Sequence, residues 1–190
     1  MDSIVINGGK ELRGTVLISG AKNAVLPMMA ASLLADGVTT ISNVPDLRDT
    51  RTMASLIEVT GAQVQLDYPN ISIDSSTVHT LEAPYELVKT MRASFYILGP
   101  LLGRFGKAKI SLPGGCAWGP RPVDFHLKAL KKMGASIRLR EGYVLAEAQR
   151  LKGCSIRFDF PSVGATGNIL MAAVTASGIT KIENTAMEPE

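Results

Sequence analysis

Residues 19–66 read SGAKNAVLPMMAASLLADGVTTISNVPDLRDTRTMASLIEVTGAQVQL. They hold an apolar run rich in small residues, Gly37, the short alternating stretch VTTIS, an amphipathic stretch, the pair Gly61 and Ala62, and the start of a strand pair. Residues 89–139, KTMRASFYILGPLLGRFGKAKISLPGGCAWGPRPVDFHLKALKKMGASIRL, repeat this order with Gly106, KAKISL, Gly134 and Ala135 at the corresponding places. Residues 161–190, PSVGATGNILMAAVTASGITKIENTAMEPE, begin it a third time and reach only ITKIEN. Such a period marks a supersecondary unit stacked on copies of itself. The third unit is expected to stop halfway, which makes the chain a fragment or the product of a gene that ends early.

The pattern predicts two kinds of helix. Residues 25–34 and 95–102 are apolar nearly all round and read as buried helices. Val123, Leu127 and Leu130 fall at i, i+4 and i+7 with Lys128, Lys131 and Lys132 opposite, so that helix is expected to be half-exposed. The stretches QVQL, ISID, SIRLR and YVLAEA alternate, which predicts sheets with one face in water. DYPN (67–70) and REG (140–142) read as turns, and the glycine after each helix suits a left-handed cap. The expected fold class is α/β, a repeated βαβαββ-like unit with buried helices inside and sheets outside.

The composition excludes several functions. The 190 residues carry 20 Lys+Arg and 17 Asp+Glu, a net charge of +3 too weak to argue for nucleic acid or an anionic membrane. The longest charge-free apolar stretch, residues 24–35, is too short to span a bilayer and contains Pro27. The N-terminus lacks the pattern of a signal peptide. Two cysteines, Cys116 and Cys154, form neither a disulfide framework nor a zinc spacing, so the expectation is a reducing, cytoplasmic setting without metal or cofactor.

Two stretches can carry chemistry. In SGAKN (19–23) a strand is expected to end, Gly20 to turn the chain and an apolar helix to begin. The helix start offers free N–H groups to an anion, and Lys22 and Asn23 add a cation and an amide. The plainer alternative is that Ser19 caps the helix and Lys22 is a solvated first-turn lysine. The second stretch, LPGGCAWGPRP (112–122), reads as a loop holding Cys116 beside Arg121, where a thiol can react or serve as an acid. An incidental loop cysteine is the alternative there. Cys154 alternates with Ile156 and Phe158 and reads as a buried strand thiol.

GAKNAVLP, KTMRAS, ISLPGGC, RPVD and SVGAT, in this order along the whole chain, closely resemble the UDP-N-acetylglucosamine enolpyruvyl transferases, relatives of 5-enolpyruvylshikimate-3-phosphate synthase. The resemblance implies an inside-out α/β barrel in which each of two domains is three-fold pseudosymmetric, in proteins roughly twice this length. It places residues 1–21 as a strand segment packing with a second domain that this chain lacks. Residues 22–190 then form an incomplete first domain, with units at about 22–80, 81–150 and 151–190.

The resemblance further implies transfer of the enolpyruvyl group of phosphoenolpyruvate to the 3-hydroxyl of UDP-N-acetylglucosamine with release of phosphate, the first committed step of peptidoglycan synthesis. Cys116 matches the proton donor that forms a covalent adduct with phosphoenolpyruvate and is alkylated by fosfomycin. Lys22, Asn23 and Arg121 match phosphoenolpyruvate-site residues. Arg92, Arg121, Pro122, Val123, Asp124, Phe125, Ser162 and Val163 match nucleotide-sugar contacts. Phe160 stands where a Lys is often found, and Trp118 where smaller residues are usual. His126 reads either as a neighbour of the uracil or as a surface-helix histidine. The general base falls outside the matched half. A non-catalytic half-barrel that binds nucleotide sugars, or serves structurally, is the competing reading. A nucleic-acid enzyme is disfavoured by the weak charge. The chain alone is expected to be inactive and prone to self-association.

Overall fold

A computed structural model describes residues 3–113 and 123–190. The first unit comprises α1 (Lys22–Ala31), continued by a 3-10 turn (Ser32–Leu34), then β1 (Val38–Ile41), α2 (Arg48–Val59), β2 (Gln63–Asp67) and β3 (Asn70–Asp74). The second comprises β4 (Glu82–Ala83), α3 (Tyr85–Val88), a 3-10 segment (Arg92–Ile97), α4 (Leu98–Phe105), β5 (Lys107–Ser111), α5 (Asp124–Lys132), β6 (Ser136–Arg140) and β7 (Tyr143–Glu147). The third holds β8 (Ser155–Arg157), α6 (Val163–Val174) and β9 (Lys181–Glu183).

The repeat is visible in the sheets. β1 and β2 flank β3 antiparallel, and β5 and β6 flank β7 in the same way. β4 adds to β5 in parallel, and β8 pairs with β9 in parallel. The alternation read from sequence sets the faces: Ile71 and Ile73 of β3, Ala108 and Ile110 of β5, and Val144 and Ala146 of β7 are buried, while their neighbours are exposed or half-buried except Ser111 at the end of β5, which is buried too. Both hairpins turn where expected, at residues 68–69 and at Glu141 and Gly142, whose φ angles of 51° and 79° suit a two-residue turn between twisted strands.

The inner layer is α1, α4 and α6, with α2 packed on α1 and α5 on α6. α4 and α6 approach closely because α4 presents Gly99 and Gly103, one turn apart, to α6. A Cβ on Gly99 would lie 2.3 Å from the backbone oxygen of Asn168, and one on Gly103 would lie 2.6 Å from Thr175 Oγ1. α4 ends at Gly106, whose φ of 73° is left-handed and whose N–H bonds to Leu102 O at 3.0 Å. Arg104 of α4 ties the second unit to the first, donating to Leu33 O and Ser75 O at 3.1 Å and to Asp36 at 2.9 Å.

Four expectations need correction. First, Val16, Leu17 and Ile18 form no strand before α1; residues 3–20 are irregular, and their large apolar side chains are at least 77% exposed. Units two and three have leading strands β4 and β8, but unit one has none among the described residues, because this segment meets no surface that would bury it. Second, Ser19 does not cap α1. The cap position is Ala21, and the Ser19 hydroxyl reaches only Gly20 O, at 3.5 Å. Third, α5 buries the stripe His126, Ala129, Leu130 and Met133, while Val123 and Leu127 flank it half-buried; His126 is thus a core residue rather than a surface histidine. Fourth, Cys154 precedes β8 and is half-buried rather than a buried strand thiol.

β9 is the last strand of the third unit, and α6 is partly uncovered: Leu170 and Val174 are 53% and 73% exposed, and Ile179, in the segment after α6, is 89% exposed. Among the described residues no helix is long and apolar enough to cross a membrane.

Candidate functional site

A cleft of about 690 Å³ opens where the inner layer presents its helix starts. Lys22, Asn23 and Leu26 come from the first turns of α1. Arg92, Ala93, Phe95 and Tyr96 come from the 3-10 segment leading into α4, and Val163 and Gly164 from the start of α6. The repeat thus brings the starts of α1 and α6 and the 3-10 segment that precedes α4 to one place. First-turn N–H groups lack intrahelical acceptors and carry partial positive charge, which favours an anionic ligand. Pro113 after β5 and Val123 and His126 around the start of α5 complete that wall.

Charged side chains sharpen the picture. Lys22 Nζ lies 2.9 Å from Asp49 Oδ2, which links α1 to the first turn of α2; the two side chains are 46% and 32% exposed. Lys22 is therefore neither freely solvated nor unopposed. Arg92 and Lys89 bring further positive charge, and the hydrogen bond to Glu86 holds the Lys89 ammonium above its usual pKa. Glu188 and Glu190 reach the same cleft from the C-terminal segment. Burial raises the Tyr96 phenol, with the Glu190 charge adding to the effect and Arg92 opposing it. Burial, reinforced by Arg92 and opposed by Asp124, pushes His126 down to about 4, so the ring is neutral at pH 7.

Of the residues expected from sequence, the cleft brings together Lys22, Asn23, Arg92, Val123 and Val163. Asp124, Phe125 and Ser162 are not on its wall. Ser162 caps α6 by accepting from Ala165 N at 3.3 Å. Asp124 Oδ2 pairs with Lys128 at 3.0 Å, while its Oδ1 is buried with no hydrogen-bond partner among the described residues. Phe125 is half-buried at the edge of the core, with the Lys128 ammonium 6.0 Å from its ring centre. Cys116, Arg121 and Pro122 lie outside the described residues, as does Trp118. Phe160 is exposed. Asp49, Tyr96, Glu188 and Glu190 were not foreseen. None sits in a repeated motif, and only the placing of Asp49 in the first turn of a helix marked it as near another helix start. Among the described residues no cluster of His, Cys, Asp and Glu could hold a metal ion.

Comparison with known proteins fits this geometry. The profile of EPSP synthase (3-phosphoshikimate 1-carboxyvinyltransferase) matches residues 6–190. The chain belongs to this family. It is 56% identical over 193 aligned residues to the UDP-N-acetylglucosamine 1-carboxyvinyltransferase of Chloroherpeton thalassium, and 53% identical over 193 to that of Chlorobaculum parvum. All of this chain is covered in both cases, but only 45% and 46% of the relatives, so it spans a little under half their length. Among solved structures, the enolpyruvyl transferase NikO from Streptomyces tendae superposes with a TM-score of 0.81 at 28% identity, covering 96% of this chain and 43% of NikO. An EPSP synthase from Acinetobacter baumannii superposes with a TM-score of 0.74 at 21% identity and shows the shared fold. The fold expectation, an enolpyruvyl transferase α/β architecture of repeated units, holds.

Proposed function

We propose that this chain supplies one wall of an enzyme that transfers the enolpyruvyl group of phosphoenolpyruvate to the 3-hydroxyl of UDP-N-acetylglucosamine. The observation that carries the reading is identity above 50%, over the whole chain, to relatives named for that nucleotide sugar. The cleft supports it, since both substrates are anions and the starts of α1 and α6 meet there with Arg92, Lys22 and Lys89. The relatives are about twice as long, and in this reading a further half of the protein supplies the opposite wall, the general base and further cations. Transfer of this group to the nucleotide sugar serves peptidoglycan synthesis in the bacterial cytoplasm and is the step that fosfomycin blocks.

In this reading the sugar oxygen bonds to C2 of phosphoenolpyruvate while C3 takes a proton from the Cys116 thiol. The sugar hydroxyl gives its proton to the base on the other wall. C3 then returns a proton to the Cys116 thiolate as the C2–O bond to phosphate breaks and its electron pair leaves with phosphate, giving the enol ether, inorganic phosphate and the thiol restored. Lys22 and Arg121 neutralise the phosphate and carboxylate brought close together and the Asn23 amide donates a hydrogen bond to them, an arrangement that lowers the barrier most where water is excluded. Arg92, Val123 and Val163 bound the nucleotide-sugar side, Arg121, Pro122, Asp124 and Phe125 extend it, and Ser162 holds the α6 start in place.

Calorimetric titration of UDP-N-acetylglucosamine into the chain tests the assignment of the cleft. Binding that weakens at least tenfold in Arg92→Ala supports it. Undiminished binding in Arg92→Ala, or none in the unaltered chain, contradicts it. Phosphate release separates this reading from the competing one, a half-barrel that binds nucleotide sugar without catalysis.

A further inference from the structure

Asn168 of α6 is fully buried, and its neighbours determine which end of its amide is which. The Gly99 N–H can only donate and lies 2.6 Å from one end, which is therefore Oδ1. The Phe95 carbonyl can only accept and lies 3.0 Å from the other end, which is therefore Nδ2. The second Nδ2 hydrogen is left for His126 Nδ1, at 3.0 Å. That ring nitrogen must offer a lone pair, because an N–H there would face another N–H in a buried site. A neutral His126 thus carries its proton on Nε2.

The ring is 4% exposed, stands edge-on to Phe95 with centroids 5.1 Å apart, and forms part of the cleft wall. Its Nε2 side faces the α6 start: a Cβ built on Gly164 would lie 3.4 Å from Cε1 and 3.5 Å from Nε2. Among the described residues no hydrogen-bond partner meets Nε2. The charged groups that bear on the ring are Arg92 and Asp124. Here the α4–α6 contact, its close approach permitted by Gly99, is linked through one amide to a donor in the cleft.

We propose that Asn168 is a positioning residue: it fixes His126 in the Nε2–H tautomer, so that a buried neutral donor faces the cleft beside the α6 start and meets an acceptor oxygen of the bound ligand. The nature of that ligand rests on the nucleotide-sugar reading above; the tautomer does not.

The test is a long-range proton–nitrogen correlation spectrum of the chain carrying His79→Gln, which leaves His126 as the sole histidine of the sequence. At pH 7 the expected pattern is a protonated Nε2 and a bare Nδ1; a protonated Nδ1 overturns the proposal. Asn168→Asp replaces the donor with a carboxylate that only accepts, and is expected to draw the proton onto Nδ1. An unchanged pattern in a folded Asn168→Asp overturns the proposal. If that variant does not fold, the pattern of the parent chain and a titration with UDP-N-acetylglucosamine decide. Ligand that binds by calorimetry is expected to shift Nε2 and its proton. Binding heat with an unmoved Nε2 overturns the donor role. No binding heat removes the nucleotide-sugar reading, and the tautomer pattern alone then judges Asn168.

Discussion

Lys22 and Asp49 form an ion pair of 2.9 Å that joins the first turn of α1 to the first turn of α2 on the wall of the cleft. The cation that meets phosphoenolpyruvate in the proposed reading is thus already partnered, and in that reading Asp49 competes with the ligand. Asp49→Asn should change unfolding free energy by less than about 1 kcal/mol, because half-exposed pairs are worth little. The same substitution should tighten phosphoenolpyruvate binding in the complete enzyme. Weaker binding would show instead that Asp49 orients Lys22 for its ligand.

Removing the cation has the opposite sign. In the complete enzyme Lys22→Ala and Arg121→Ala should each lower turnover by on the order of a few kcal/mol in barrier, the usual cost of losing a charge that meets reacting oxygens. Phe160→Lys, on an exposed residue, should change it far less. Steady-state kinetics at fixed ionic strength make the comparison, and near-normal turnover in Lys22→Ala would remove that residue from the site.

His126 predicts an acid-sensitive fold. Its folded pKa is depressed by burial to about 4, from about 6.5 when unfolded. Above 6.5 both states are neutral and the full stability is present. As pH falls the unfolded chain takes up the proton first, so stability drops between about 6.5 and 4, by on the order of a few kcal/mol. Urea unfolding at pH 7.5 and pH 4.5 should show this loss, and His126→Gln should flatten it. An equally steep loss in a folded His126→Gln would assign the effect to carboxylates instead.

The contact between α4 and α6 gives a steric prediction. Gly99→Ala puts a methyl 2.3 Å from a backbone oxygen, which no side-chain rotation relieves. Destabilisation of about 1–3 kcal/mol or more is expected. Little change in urea midpoint would show that the two helices separate readily.

Repetition is what made the fold legible in the sequence. Gly37, Gly106 and Gly178, all with positive φ, mark the same passage from inner helix to strand in three units, and the alternation of β3, β5 and β7 shows directly which face is wet. What could not be read depended on contacts between units. His126 belongs to a buried stripe because α6 packs on α5, and Asn168 is a polar core residue because Gly99 lets α4 come close. Single-helix periodicity reports neither fact. The residues of the candidate cleft were legible where a motif coincided with a helix start, as with Lys22, Asn23 and Val163. Asp49 had only its place in a first helix turn to mark it, and Tyr96 and Glu190 carry no local signal.

Thiol chemistry separates the two cysteines. Cys116, with Arg121 nearby in sequence, should react with an alkylating reagent faster than Cys154 in the proposed full-length enzyme. The half-buried setting of Cys154 narrows the expected contrast. Adduct mapping by mass would contradict the assignment if Cys154 were labelled first.

The central claim is that this chain is one wall of a two-walled enolpyruvyl transferase site, and phosphate release tests it most directly. Phosphoenolpyruvate and UDP-N-acetylglucosamine are supplied to the chain alone and to the chain joined to the remaining C-terminal half of the Chloroherpeton thalassium relative. The expected result is no phosphate from the chain alone and steady release from the joined protein, lost again in Cys116→Ala. Turnover by the chain alone at the rate of the joined protein, or a well-folded joined protein that binds both substrates and releases no phosphate, would contradict the account.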